Sequence, residues 1–358
     1  MNYFVSGIQQ IGLGNSNLYE TWEWYRKNLG MDVPIFDEAA EAKLMLPYTN
    51  NEVRSRHAVL ALNLAGGGGM EIWQYTSRTP EKANFEIGMN DLGILCSKFK
   101  TPNIAELFQS FKTNKVKIVS EIDDKPFGKL HFFAMDLFDN LIEIVEEDNY
   151  FELGNKICGG VSGASLGVEN MEESILLFKN LLGYDLIIGD QSGTFDDLQS
   201  INGGKENFRR VLLTHSEQRK GPFSELLGKT TIELICCTSK KGNRIFEHRN
   251  WGDLGYIHLC FDIVGLDELK NKSAELGYPF TVDSNNSFDM GEAAGRFSYI
   301  ETKEGILLEF VETHKIPILK KLGWFLNLKN RNREKALPRY LLKGLGLNRK
   351  KKPVYPRS

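Results

Sequence analysis

Apolar and polar positions along the chain switch between helical and strand spacing, and the switches recur. TWEWYRKNLGMDV (21–33) and SILLFKNLLGYDL (174–186) both place apolar residues at helical spacing. Each reaches a Leu-Gly pair, where glycine can take the left-handed conformation that ends a helix. Both stretches therefore predict an amphipathic helix running on into a strand. GIQQIGLG around Gln10 and VSGASLGV around Gly163 come about twenty positions before those glycines and read as strands. A second pair, DLGILCSKFKT (91–101) and DLGYIHLCFDI (253–263), aligns without a gap and sets Cys96 opposite His258. These lead into NIAELFQSFKTNKVKIV (103–119) and GLDELKNKSAELGYPFTV (265–282), again strand, helix and strand.

Each of the four units closes on a glutamate inside an apolar run: MEIW with Glu71, LIEIV with Glu143, TIELI with Glu233 and LLEFV with Glu309. Successive side chains in a strand point to opposite faces. Glu309 has Leu308 and Phe310 on one face and Leu307 and Val311 on its own, so the strand is expected to be buried on both sides. An ionised carboxylate there costs on the order of several kcal/mol unless it is paired, protonated or metal-bound. Four such residues at one place in four repeats argue against frayed strand ends in water.

Repeats of strand, helix and several strands, with a ligand-type residue in the first strand and a glutamate in the last, resemble the vicinal oxygen chelate superfamily. That group includes glyoxalase I, bleomycin-resistance proteins and extradiol dioxygenases. The resemblance covers residues 4 to about 312. It implies an α+β fold of four βαβββ modules paired into two cupped half-barrels. It also implies that each pair offers first-strand and last-strand residues to one divalent metal. Carried over by position, the first-strand residues are Gln10, Cys96, Gly163 and His258, and the last-strand ones are Glu71, Glu143, Glu233 and Glu309.

Taken in chain order, the modules divide into a first pair over residues 1–150 and a second over 156–314, followed by a tail over 315–358. Pairing in that order gives two compromised sets. Pairing first with fourth instead collects Gln10, Glu71, His258 and Glu309, the ligand pattern of glyoxalase I, and leaves Cys96, Glu143, Gly163 and Glu233 as a degenerate set. This second arrangement is the one expected to bind a metal, and it predicts one divalent ion (Zn, Ni, Co, Mn or Fe) rather than two. In that site the ion would polarise a carbonyl or enediolate while Glu309 or Glu71 moves a proton on carbon. The implied function is a metal-dependent lyase or isomerase of glyoxalase type, acting on a small hydroxy-carbonyl compound or its thiol adduct. A non-catalytic small-molecule-binding protein of the same fold is the alternative. An extradiol-type dioxygenase is less favoured, because Gln10 and Gly163 stand where its first-strand histidines would be.

Composition adjusts this picture in three ways. The chain is 41% hydrophobic and 25% charged, with no apolar run of membrane-spanning length, which points to a cytoplasmic protein. Five cysteines without C-x-x-C spacing read as reduced thiols, and Cys96, with apolar flanks, as a buried inert one. The net charge of −3 hides a tail from Lys315 onward with fourteen Lys and Arg against one acid, Glu334, so the remainder carries −16. In that tail Ile318, Leu319, Leu322, Phe325 and Leu326 fall near helical spacing and predict a docked helix followed by an anion-seeking arm. An anionic membrane surface or an acidic protein would suit such an arm, with nucleic acid least favoured. Its alternative place is on the acidic body itself. AGGGG (65–69) lacks the Lys-Ser/Thr of a phosphate loop and is expected to be a turn or bulge before Glu71.

Overall fold

A computed structural model describes residues 3–285, 288–289, 294–319, 323–328 and 331–353. The first module comprises β1 (Phe4–Gly14), α1 (Leu18–Leu29), β2 (Val33–Glu41), β3 (Ser55–Leu62) and β4 (Gly69–Tyr75). The second comprises β5 (Gly93–Thr101), α2 (Ile104–Thr113), β6 (Lys117–Ile118), β7 (His131–Met135) and β8 (Leu141–Glu146). The third has β9 (Val161–Gly167), α3 (Met171–Leu182), β10 (Leu186–Gly193) and β11 (Phe208–Thr214). A one-turn helix, α4 (Ser224–Leu227), and β12 (Thr231–Cys237) complete it. The fourth has β13 (Gly255–Val264), α5 (Leu266–Glu275), β14 (Val282–Asp283), β15 (Phe288–Asp289), β16 (Ala294–Glu301) and β17 (Leu307–Leu319). In the tail follow β18 (Trp324–Asn327) and α6 (Arg339–Gly344).

The helices form where the spacing predicts them, and for local reasons. Asn17, Asn103 and Asn170 cap α1, α2 and α3, each side chain accepting from the backbone N–H of the glutamate three residues on. Gly30 and Gly183 end α1 and α3 at φ of 63° and 67°. The helix α5 begins at Gly265 without a side-chain cap, and the Glu312 carboxylate on β17 accepts from the Gly265 N–H at 2.8 Å instead. Leu18, Trp22, Tyr25 and Leu29 lie along one stripe of α1 and are buried against the sheet.

Two mixed sheets result. One runs β14-β16-β17-β13-β1-β4-β3-β2, with β15 on β16 and β18 on β17. The other runs β10-β11-β12-β9-β5-β8-β7-β6. Within each module the first strand lies parallel to the last, and the two modules of a sheet meet through antiparallel first strands, β1 with β13 and β5 with β9. The first module thus shares a sheet with the fourth, and the second with the third. The chain-order division into 1–150 and 156–314 does not coincide with these sheets. First strands are the edges that pair, and β1 finds its antiparallel mate about 250 residues away rather than in its sequence neighbour.

The glycine stretch 65–69 is a turn into β4, as expected, with Gly66 and Gly67 at φ of 110° and 113°. It also joins the two sheets: Gly68 and Val161 form a bridge, and a Cβ at Gly67 would stand 2.8 Å from the Gly160 carbonyl carbon.

The tail departs from expectation. Leu322 lies outside the described residues, but β17 continues through Ile318 to Leu319, and β18, with Phe325 and Leu326, folds back on it. A hairpin therefore replaces the predicted helix, turning at Gly323 with φ of 65°. The alternation in this segment serves an extension of the closing strand, whose open N–H and C=O groups β18 covers. Beyond it Leu337, Leu342 and Leu345 are buried against the body. Arg339 pairs with Glu225 at 3.1 Å, Lys343 with Glu152 at 2.5 Å and Arg349 with Asp32 at 3.3 Å, so much of this basic segment lies on the acidic body. No helix among the described residues is long and apolar enough to cross a membrane.

Candidate metal centre

The four closing glutamates are all buried, with exposures of 1–8%. The sheet pairing sorts them into two dissimilar sites. Glu71 on β4 and Glu309 on β17 approach across the β1–β13 seam, and Gln10 and His258 project from the seam strands between them. The His258 Nε2 lies 3.2 Å from Glu71 Oε2 and 3.2 Å from Glu309 Oε2. Gln10 Nε2 donates to Glu71 Oε2 at 2.8 Å and reaches Glu309 Oε2 at 3.4 Å. All four residues named from the sequence for this site thus stand together. Among the described residues, Glu71, His258 and Glu309 form one cluster whose ligand atoms lie within 4.8 Å of one another.

Sequence reading missed two supports of this cluster. Tyr299 sits opposite Glu309 in the β16–β17 register and donates its hydroxyl to Glu309 Oε1 at 2.7 Å, while its oxygen is 3.5 Å from His258 Nδ1. Its only trace in the sequence is a tyrosine in an alternating strand, which many cores contain. Gly12 faces His258 across the seam, leaving space for the imidazole.

No Lys or Arg among the described residues pairs with Glu71 or Glu309. Burial, and then the neighbouring Glu71 charge, push the Glu309 pKa up, although His258 opposes both. Burial alone would lower the His258 pKa, but Glu309 and Glu71 outweigh it and hold it above the ordinary value. Two buried oxygen and nitrogen atoms, Gln10 Oε1 and His258 Nε2, have no hydrogen-bond partner of acceptable geometry. The carboxylates lie close to Nε2 but out of line with it. Two carboxylates and an imidazole nitrogen converging, with no Lys or Arg of the described residues paired to them, make a donor set that fits a divalent cation; the Gln10 amide, which turns its Nε2 to the carboxylates, would join it by exchanging its oxygen for its nitrogen.

The second set is built differently. In both sheets the ligand position lies two residues before the residue that registers with the closing glutamate: Gly12 with Glu71, Cys260 with Glu309, Lys98 with Glu143 and Ser165 with Glu233. At the Glu143–Glu233 site that registering residue is a lysine, and its ammonium lies between the carboxylates. Lys98 Nζ contacts Glu143 and reaches Glu233 Oε2 at 2.6 Å. Arg210 adds Nε to Glu233 Oε1 at 2.7 Å and a paired contact to Asp197, and His131 Nδ1 lies 2.9 Å from Glu143. Burial would raise both glutamate pKa values, but Lys98 at Glu143 and Arg210 with Lys98 at Glu233 hold them below the ordinary carboxylate range. A Cβ at Gly163 would meet the Thr231 carbonyl oxygen at 2.4 Å and, less closely, Lys98 Cδ at 3.2 Å. Cys96 is fully buried beside this network, with its thiol pushed well up by burial and by Glu143. A protein cation here lies between the carboxylates, where the other sheet sets Gln10 Nε2 and His258 Nε2.

Comparison with known proteins agrees with this architecture. Residues 7–144 match the model of the Glyoxalase/Bleomycin resistance protein/Dioxygenase superfamily. This segment, the first two modules, is similar in sequence to that superfamily, and the likeness in fold reaches further along the chain. Glyoxalase I from Zea mays is similar at a TM-score of 0.55 and 12% identity, over 86% of this chain and 92% of that one. A Bacillus subtilis subsp. subtilis str. 168 protein provisionally named a dioxygenase is similar at a TM-score of 0.54 and 16% identity, over 86% of each chain. At these identities the likeness concerns fold. No curated protein matches the sequence.

Proposed function

We propose that this chain is a metal-dependent lyase or isomerase of the glyoxalase superfamily, acting on a hydroxy-carbonyl compound or its thiol adduct. Gln10, Glu71, His258 and Glu309 would hold one divalent ion, of Zn, Ni, Co, Mn or Fe. The observation that carries this reading is the buried Glu71–Glu309 pair, 3.2 Å on either side of His258 Nε2 and paired with no Lys or Arg of the described residues, in a molecule whose equivalent pair is neutralised by Lys98. When bound, the ion would supply Lewis-acid polarisation of adjacent substrate oxygens.

The chain's own groups would move the proton. Glu309, its basicity raised by burial, is suited to take a proton from carbon and return it. Tyr299 would orient that carboxylate by donating to Oε1, leaving Oε2 toward the cluster. A cavity of about 390 Å³ opens on Gln10, Glu71, Tyr299 and Glu309, and its apolar walls would exclude bulk water from the reacting carbon. The one-histidine, two-carboxylate set differs from the two-histidine, one-carboxylate arrangement of ferrous oxygenases, which disfavours dioxygenase chemistry.

Metal content of the purified full chain tests the reading, together with loss of an added hydroxy-carbonyl substrate. The expected result is one equivalent of metal that a chelator removes, and turnover abolished in His258→Ala. Saturable ligand binding with no metal and no turnover would instead favour a binding protein of the same fold.

A further inference from the structure

Resting on the proposed reading of this site, we propose that the substrate carries its oxygen-bearing carbons on an uncharged, apolar body. Gln10, Glu71 and Glu309 stand in the wall of the 390 Å³ cavity. Trp73 and Trp251, the latter stacked on His258, line it beside them, and Phe36, Met45, Leu226 and Leu345 add further apolar wall. All six are less than 9% exposed overall, so their faces toward the cavity are enclosed apolar surface.

Two cationic residues, Lys43 and Arg56, belong to the lining. Lys43 is paired with Glu41 at 3.1 Å, and Arg56 donates to the Glu38 carbonyl at 3.0 Å. Glu38 and Glu41 line the cavity too and balance these two cations, so a substrate with its own carboxylates, such as an anionic tripeptide adduct, meets no excess positive charge and would lose its charge hydration among aromatic and aliphatic side chains. An alkyl or aryl body meets neither obstacle and gains from every methylene it buries.

The walls come from well-separated parts of the chain, which suits a chamber shaped around such a body. Leu226 belongs to α4 of the third module, whose sheet is the other one, and Gly67 N–H reaches across to the Leu226 carbonyl at 2.8 Å. Leu345 belongs to the tail. That segment is fastened at Leu337, whose N–H donates to the Pro222 carbonyl at 2.8 Å, and at Lys350, which donates to the Asp32 carbonyl at 2.8 Å. It therefore straps the third module to the first, and Leu345 closes one wall of the cavity on the way. In this arrangement the basic charges of the segment fasten a wall in place while its leucines supply it.

The test uses full-length protein titrated with acyloins of four, eight and twelve carbons, followed by quenching of tryptophan fluorescence. S-hexylglutathione serves as a charged comparator. The expected Kd falls roughly threefold per methylene between four and eight carbons, and S-hexylglutathione binds more weakly than the eight-carbon acyloin. Met45→Ala and Leu345→Ala should each weaken the twelve-carbon ligand at least tenfold more than the four-carbon one. The Met45 variant keeps the test decisive if Leu345→Ala releases the strap. Affinity independent of chain length, tighter binding of S-hexylglutathione, or equal losses for long and short ligands would overturn the inference. Chain-length dependence that persists in protein shown to hold no metal upholds it, and counts against the metal reading alone.

Discussion

Gly12 faces His258 across the antiparallel β1–β13 pair, and a Cβ at residue 12 would stand 2.4 Å from the imidazole Cε1 and 2.5 Å from Nε2. The equivalent pair in the other sheet is Gly163 and Lys98. At Gly163 a Cβ would first meet the Thr231 carbonyl oxygen, at 2.4 Å, so at Gly12 alone of the two is it the partner's side chain that demands the glycine. The backbone at Gly12 is not in the left-handed region, so alanine would fit the strand and fail only by steric contact. Gly12→Ala should therefore fold, lose about 1–3 kcal/mol of stability by overpacking, and bind metal at least tenfold more weakly because the imidazole is displaced. Urea unfolding and metal titration measure the two effects separately. Unchanged metal affinity would mean that His258 is not a ligand.

The two sheets should answer differently to loss of a closing glutamate. Glu71→Ala is expected to act like Glu309→Ala, reducing bound metal and removing the rise in Tm that metal gives the folded chain. Glu233→Ala should leave metal stoichiometry at one, yet lower stability, because Lys98 and Arg210 lose a buried partner. Metal analysis and thermal unfolding with and without added metal decide between these patterns. If Glu233→Ala empties the protein of metal while Glu71→Ala does not, the assignment of sites is reversed.

Lys98→Met removes the cation shared by Glu143 and Glu233 and should cost about 3–5 kcal/mol at neutral pH. The sign with pH follows from Glu143, whose folded pKa is depressed below its ordinary value. Its contribution is present above the unfolded carboxylate pKa and is lost as pH falls through the folded one. The difference between wild type and variant should thus shrink as the solution is acidified below about pH 4.5. Urea unfolding at pH 7 and pH 4 would show it, and a difference independent of pH would deny the ion-pair role.

How much of this was readable in the sequence depends on whether a residue is anomalous by itself. Glu71, Glu143, Glu233 and Glu309 stood out because a carboxylate inside an apolar strand conflicts with its surroundings before any partner is known. Helices α1 and α3 were readable because their signals are local: apolar residues at helical spacing that reach a Leu-Gly pair. Tyr299, Gly12 and Lys98 were not readable as site residues. Each matters only through register, and register between β1 and β13 is set by pairing between opposite ends of the chain. The chain-order domain division failed for that reason. The tail helix failed for another: five apolar positions fitted helical spacing, but the segment was also free to extend the closing strand, and the exposed strand edge decided the outcome.

Asp262 on β13 supplies a pH test away from both glutamate pairs. It is 1% exposed, its Oδ2 has no hydrogen-bond partner, and Gln9 Nε2 is 3.4 Å from Oδ1. Burial is the main reason its pKa is raised to about 7, with Glu312 adding repulsion and Ser6 opposing. A carboxyl whose folded pKa is raised gives stability that is full below its unfolded pKa, near 3.8, and that is lost as pH rises through the folded one. Asp262→Asn cannot ionise and so escapes the loss. Relative to wild type, its stability should rise between about pH 4 and pH 7 and level off above, reaching on the order of 2–4 kcal/mol at most. Comparing the two proteins at each pH cancels the titration of His131 and other groups common to both. Thermal or urea unfolding at pH 4, 5.5, 7 and 8.5 gives the curve. A flat difference across that range would show that Asp262 is paired and ionised in the folded chain, and that the buried seam beside Gln9 tolerates charge.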